Sequence, residues 1–225
     1  MKRASEVVSN EQRLQVEAAV KEAESRTSCE IVPVVAASSG RYDRPEDIVG
    51  LWLATIAAVT VWLLFPRQLD DLGNWDGSSL LVGLLAMIVS VVLAFVTGAV
   101  AAGRIDPLRR IFTPRTQQQE EVASRAREVF FDRRVHHTAG GTGLLIYVSL
   151  FEQVAVVLGD QTVMEKLGQP AIDELCSRLT DELGSGDVAS ALCRVIDDAG
   201  VRLADVLPQE EGDVNEIHDT LILID

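Results

Sequence analysis

Apolar and polar positions alternate with different periods in successive parts of this chain, and each change of period predicts a different element. Residues 30–37, "EIVPVVAA", are a short β-branched run that reads as a buried strand, although Pro33 within it argues for an edge or a bulge. Ile48 to Phe65 is then eighteen residues without a charge, about 27 Å as a helix, and Leu80 to Gly103 is a second, longer uncharged run. Both are long enough to span a bilayer. Trp52 and Trp62 near the ends of the first run, and the "FPR" stop at 65–67, fit a span better than a core helix. The connector "PRQLDDLGNWDGS" closes the two into a hairpin.

Basic residues near the spans set the expected orientation. Arg41 and Arg44 precede the first, Arg67 alone lies in the connector, and Arg104, Arg109, Arg110 and Arg115 follow the second. Both long segments are expected in the cytoplasm, with Asp70, Asp71 and Asp76 outside. Two spans return the chain to its starting side, so residues 1–47 and 104–225 can share one domain with the hairpin as an insertion. Each span also carries a ridge of small residues at i+4 spacing: Gly50, Ala54 and Ala58 in the first, and Ala86, Ser90, Ala94, Gly98 and Ala102 in the second. Helices in lipid associate through close backbone approach, so these ridges are the expected packing positions, within the hairpin and in a homo-oligomer. Neither span holds a charged residue that could carry an ion path, which makes the hairpin an anchor.

Outside the hairpin the periods are those of a soluble domain. "SNEQ" at 9–12 has the form of a capping box and predicts an amphipathic helix over 10–26, with Leu14, Ala18 and Val20 on its apolar face. After the membrane segment, Val122, Ala126, Val129, Phe130 and Val135 share a helical face. That helix ends in Arg133, Arg134, His136 and His137, which suit the negative end of its dipole. Two β-rich runs at 143–150 and 153–158, separated by Glu152 and Gln153, read as a β-hairpin. Helices follow at 162–167, 169–183 and 187–205, the last two parted by Gly184 and Gly186. The fold class expected is α/β, a small mixed sheet covered by helices. Its segments are 1–47, the start of the soluble domain; 48–103, the hairpin; 104–207, the rest of the domain; and 208–225, an acidic C-terminal tail.

Charge narrows the function classes. The net charge of −14 is uneven: residues 104–134 hold eight Arg against five acids, and 135–225 hold four Lys or Arg against seventeen acids. Phosphate backbones need clustered cations, and the basic cluster here lies beside a hydrophobic span, so nucleic acid is excluded as a partner. Cys29, Cys176 and Cys193 have no C-x-x-C spacing and are odd in number, which fits a reducing compartment rather than a disulfide framework. "MKRASEVVSNEQRLQ" lacks the apolar run of a secretory signal.

The order helix, "SCEIVPVV", helix, "GGTGLLIYVSLFEQVAVVLGD", then "QPAIDELCSRLTDELGSGDVASALCRVIDDAG" resembles the TPM domain. That module occurs in thylakoid-lumen acid-phosphatase-like proteins, a photosystem II repair factor and an acetylcholine-receptor modulator. The likeness is nearest to the bacterial membrane-protein branch with a hydrophobic insert after the first strand, whose tail "GDVNEIHDTLILID" resembles. The resemblance implies the fold. Members credited with phosphatase activity or calcium binding carry acidic residues in the loop before the central strand, where this chain has Ala139, Gly140, Gly141, Thr142 and Gly143. A hard cation loses oxygen ligands there. Asp160, after the second strand of the hairpin, is the one metal-site position the resemblance carries over, beside its plainer reading as a helix N-cap.

Other chemistry is sparse. The "AGGTG" loop leads into a strand rather than a helix, which suits a turn and not a phosphate cradle. His136 and His137 are adjacent and diverge on a helix, and Cys176 and Cys193 sit among apolar neighbours as packing residues. No G-x-S-x-G or H-E-x-x-H occurs, and "PQEEGDVNE" reads as a solvated linker. No catalytic residue and no cofactor are expected. The sequence favours a membrane-anchored interaction or assembly module, with the lipid bilayer and a protein of unknown identity as partners, over a membrane-tethered phosphatase dependent on divalent cations.

Overall fold

The computed structural model describes residues 3–40, 44–64, 77–104, 113–138, 140–184, 186–209 and 215–225. Two compact units emerge, one made of residues 1–40 with 115–225 and the other of residues 41–114.

The first unit is built on a four-stranded mixed sheet. Its strands are β1 (Glu30–Ala36), β2 (Gly143–Ser149), β3 (Val154–Gly159) and β4 (Ile222–Ile224), in the order β3-β2-β1-β4. β1 runs parallel to β2 along its whole length, from Glu30 opposite Gly143 to Ala36 opposite Ser149. β2 and β3 form the expected antiparallel hairpin, turning through Gln153 at φ 52°. Two short helices, α1 (Ala4–Val7) and α2 (Asn10–Glu24), precede the sheet; α2 begins at the capping box, Ser9 Oγ accepting from Gln12 N at 3.2 Å. On the face opposite to α5 (Arg115–Asp132) lie α2, α6 (Gln161–Leu167), α7 (Gln169–Leu183) and α8 (Val188–Val206).

Strand alternation sorts the core into two layers. Ile31, Val35, Leu144, Ile146, Val148 and Val157 face α2, α7 and α8, while Val32, Val34, Ala36, Leu145 and Tyr147 face Val122, Ala126, Val129 and Phe130 of α5. Every residue of β1 and β2 is buried, as a strand covered on both faces must be.

Three expectations need correction. The buried face of α2 is Val16, Val20 and Ala23, whereas Leu14 is 66% exposed and Ala18 is also exposed. The helix turns this way because Ala23 docks on α8, where a Cβ added to Gly200 would lie 2.7 Å from that of Ala23. Pro33 does not mark an edge strand, for β1 is interior. β4 pairs only from Val34 onward, however, so Pro33, lacking an N–H, lies in the stretch of β1 that β4 does not reach, where the strand is locally at an edge. Finally, the acidic end of the chain is not wholly a tail. Ile222–Ile224 add a parallel strand to β1, and Ala37 N donates to Ile224 O at 2.8 Å.

The second unit is a pair of helices, α3 (Arg44–Leu64) and α4 (Gly77–Arg104), both long and apolar enough to cross a membrane. Within their spanning windows only 11% and 6% of residues are buried, whereas the core helix of a soluble protein is mostly buried.

The contact of α2 with α8 supplies a first prediction. Gly200→Ala forces a methyl against Ala23 and should destabilise the first unit by about 1–3 kcal/mol. Thermal unfolding of the full chain in detergent, followed by circular dichroism, should show a lower midpoint with the fold retained below it.

Candidate functional site

The parallel strands offer two ends, and their chemistry differs. Ligands of open α/β sheets usually sit beyond the carboxyl ends of the strands. Here that end is filled by protein groups. Glu152, 1% exposed, accepts from Ser39 N at 3.0 Å and Gly40 N at 3.3 Å through Oε1, and from Ser149 Oγ through Oε2. Ser39 Oγ is hydrogen-bonded to Tyr147 OH and to Ser149 Oγ, each at 2.9 Å. A buried carboxylate thus ties the chain leaving β1 to the turn leaving β2, with hydrogen bonds that offset its desolvation. Sequence reading treats Glu152 as a polar break in a hairpin. Its pairing with the distant Ser39 exists only once the strands lie side by side.

The opposite end is open. A cleft of about 620 Å³ is lined there by residues that include Ser28, Glu30, Thr142, Thr162, Lys166 and Glu216. Gly140 and Gly141 form its neighbouring turn: Gly141 N donates to Thr138 O at 3.1 Å, and Gly141 takes φ +62°. The turn is strapped to α6, because Thr162 N donates to Gly141 O at 3.1 Å and Thr162 Oγ1 to Gly140 O at 2.7 Å. Ala139 lies outside the described residues.

Asp160 borders this turn without lining the cleft, and its carboxylate accepts from Gln161 N at 2.7 Å as the N-cap of α6. Among the described residues, no three His, Cys, Asp or Glu side chains converge on a point that could hold a cation. Glu30 spends its carboxylate on backbone, accepting from Glu216 N at 3.1 Å and Ile217 N at 3.2 Å. His136 and His137 stand beyond the end of α5 with ring centroids 6.3 Å apart. All three thiols are pushed up by burial, Cys29 most strongly, and Cys176 Sγ donates to Ala155 O at 3.0 Å. These are packing cysteines rather than nucleophiles.

A second carboxylate cluster clasps the end of the chain. Glu24 Oε1 accepts from Ile31 N at 2.8 Å and Glu17 Oε1 from Leu221 N at 3.3 Å, while Asp225 accepts from Ser5 N at 3.0 Å and Ser5 Oγ at 2.7 Å. Glu24 Oε2 is buried and, among the described residues, has no partner at ideal hydrogen-bond geometry, with the Asp219 carboxylate as its polar neighbour. Burial, reinforced by the charges of Asp219 and Glu30, pushes the Glu24 carboxyl up to about 8, against the opposing bond from Ile31.

In the helical pair the expected small-residue positions meet unevenly. A Cβ on Gly98 would lie 3.0 Å from Gly50 Cα and 2.9 Å from Leu53 Cδ1, so the two backbones are in contact there. Ala54 and Ala102 are buried, Ala58, Ser90 and Ala94 are partly buried, and Ala86 is exposed. Arg41, Arg67, Asp70, Asp71, Asp76, Arg109 and Arg110, on which the expected orientation partly rests, lie outside the described residues.

No protein-family profile and no curated protein matches this chain. In fold it is similar to the BA42 protein of the psychrophilic bacterium Bizionia argentinensis, whose structure was solved by NMR. The two share 17% identity at a TM-score of 0.57, over 99% of each chain. At that identity the likeness extends to the fold alone.

The carboxylate clasp generates a pH prediction. A folded-state value near 8 against an ordinary 4.5 means that the folded state holds a proton the unfolded chain releases. The stability this contributes is complete below 4.5 and is lost as the pH rises to about 8. Glu24→Gln should remove that slope and unfold later than the parent at alkaline pH, in thermal scans across the range. A variant that keeps the parental slope would place the titration elsewhere.

Proposed function

We propose that this chain is a membrane-anchored interaction or assembly module of the TPM-domain type, from the bacterial branch with a two-span insert. The observation that carries the reading is the helical pair. α3 and α4 expose their apolar surface, and each of their four described hydroxyls folds back on its own helix: Thr55 on Leu51 O, Thr60 on Ile56 O, Thr97 on Leu93 O and Ser90 on Met87 O. Polar groups satisfied within the helix are what a bilayer demands of a span. The pair lies in the chain between two strands of one sheet, so the sheet forms when both spans are crossed and the chain returns to the side it left. By the positive-inside count both termini and the first unit lie in the cytoplasm.

The cleft favours binding over hydrolysis. Of its lining carboxylates, Glu30 is committed to backbone donors and Glu216 stands beside it, Asp160 caps α6, and among the described residues no three acids converge as ligands of a cation for phosphoryl chemistry. Partners are therefore the bilayer and a cytoplasmic protein, with self-association through the small-residue ridge as a further contact.

Two measurements test this. A single cysteine placed in segment 65–76 of a chain lacking native cysteines should react with an impermeant reagent in intact cells, and one at Gln209 should not; the reverse pattern defeats the orientation. Purified full-length protein should release no phosphate from aryl phosphates with magnesium, calcium or manganese, whereas cross-linking from cytoplasmic positions should trap a protein. Cation-dependent hydrolysis lost in Asp160→Asn would establish the phosphatase instead.

Close contact at Gly98 is testable too. Gly98→Leu should separate α3 from α4 and lower the thermal resistance of the hairpin in detergent, while Leu at the exposed Val92 should leave it unchanged.

A further inference from the structure

The end of α5 joins features that nothing in the core or the cleft uses. α5 closes with Val135 N donating to Phe130 O and Arg134 N to Phe131 O, each at 3.0 Å, and Arg134 takes φ +57°. That left-handed position is one glycine occupies more readily than any side chain, so a cation is held there against the backbone's preference. Phe131 packs its ring against that of His136, centroids 5.0 Å apart, and His137 follows with its ring 6.3 Å from that of His136, while Arg133 and Arg134 lie between Phe131 and His136 in the chain. Phe131 is 60% exposed, and all four of its neighbours are exposed.

Charge distinguishes this patch from the rest of a chain at −14. Arg178, Arg194 and Arg202 on α7 and α8 are each bonded to carboxylates, as is Arg26 beside α8. Among the described residues, Arg133 and Arg134 meet none; Arg127, earlier on α5, also meets no carboxylate and bonds only to Ala123 O. Two guanidinium groups that no described carboxylate bonds, close in the chain to an exposed aromatic ring and outnumbering the one exposed acid between ring and cations, Asp132, are the composition of a contact with an anionic lipid surface: the cations meet headgroup phosphates and the ring enters the interface.

We propose that the Phe131–His137 patch docks on the anionic surface of the bilayer that holds the chain. The inference rests on the membrane reading of α3 and α4 and adds a second attachment, made by the sheet-containing unit. An acidic unit is repelled by anionic lipid over most of its surface, so a basic and aromatic patch on it favours the face that carries the patch. The opposite face is left for protein partners.

Hydrogen exchange of the full chain in nanodiscs tests it, comparing phosphatidylcholine alone with phosphatidylcholine containing phosphatidylglycerol. Amides of residues 129–137 should exchange roughly fivefold more slowly in the anionic discs, the factor expected for about one basic side chain's attraction to such a surface. Salt should erase the difference. Arg133→Glu with Arg134→Glu should abolish it. Arg134→Gly removes one cation while easing the left-handed backbone, so it should raise the unfolding temperature and still weaken the protection, which separates binding from folding. Equal exchange in the two discs, or protection that survives charge reversal, overturns the proposal. Protection that grows with the number of chains per disc whatever the lipid assigns the patch to a second copy and overturns it as well. Residues 46–64 and 81–104 serve as the internal control. Rapid exchange there in discs would sink the membrane reading and this inference together, whereas a protected hairpin with an indifferent patch sinks the inference alone.

Discussion

Parallel pairing of β1 with β2 is the constraint on which the remaining architecture depends. A parallel neighbour cannot be reached by a tight turn, so the chain must make a crossover between the two strands. Here the crossover contains α3, α4 and α5, and the pairing still holds register from Glu30 to Ala36. Both faces of those strands are covered, one by α5 and the other by α2, α7 and α8, so the sheet could not be assembled from either half alone. An insertion that returned the chain to the far side of a bilayer would leave β1 without its partner.

Carboxylates complete this sheet where strands do not. Glu24 accepts from Ile31 N on the stretch of β1 that β4 leaves open, Glu30 and Glu17 receive the backbone of the returning C-terminal segment, and Glu152 receives that of Ser39 and Gly40. An unpaired backbone donor in the interior costs about as much as a lost hydrogen bond, so each of these acids removes a specific penalty. Part of the acidity that looks like a solvated surface in the composition is therefore structural. Glu24 is the expensive member, since its second oxygen is buried among other acids and the group favours the protonated form.

The helical pair obeys a different rule. Under the proposed membrane reading its outer surface needs no polar partner, and what it requires is close approach of two backbones, met where Gly50 and Gly98 face one another. The small-residue ridge of α4 continues past this contact to Ala86, which is exposed while Gly83 and Met87 beside it are partly covered.

Much of this organisation is legible in the sequence because it depends on local period. The two charge-free runs, the Ser9 capping box, the hairpin of 143–150 with 153–158 and the three closing helices are each determined by residues adjacent in the chain. Asp160 as an N-cap belongs here too, since a cap is a contact between neighbours. Other features were decided by tertiary structure. Which face of α2 is buried depended on Ala23 meeting Gly200 of a distant helix, so Leu14, equally apolar, was left outside. The last three-residue strand was too short to carry a period against its acidic surroundings, and it exists because β1 offers a free edge. The roles of Glu24, Glu30 and Glu152 could not be read in one dimension, because a carboxylate becomes a backbone cap only when folding brings it an unpaired N–H that water can no longer reach.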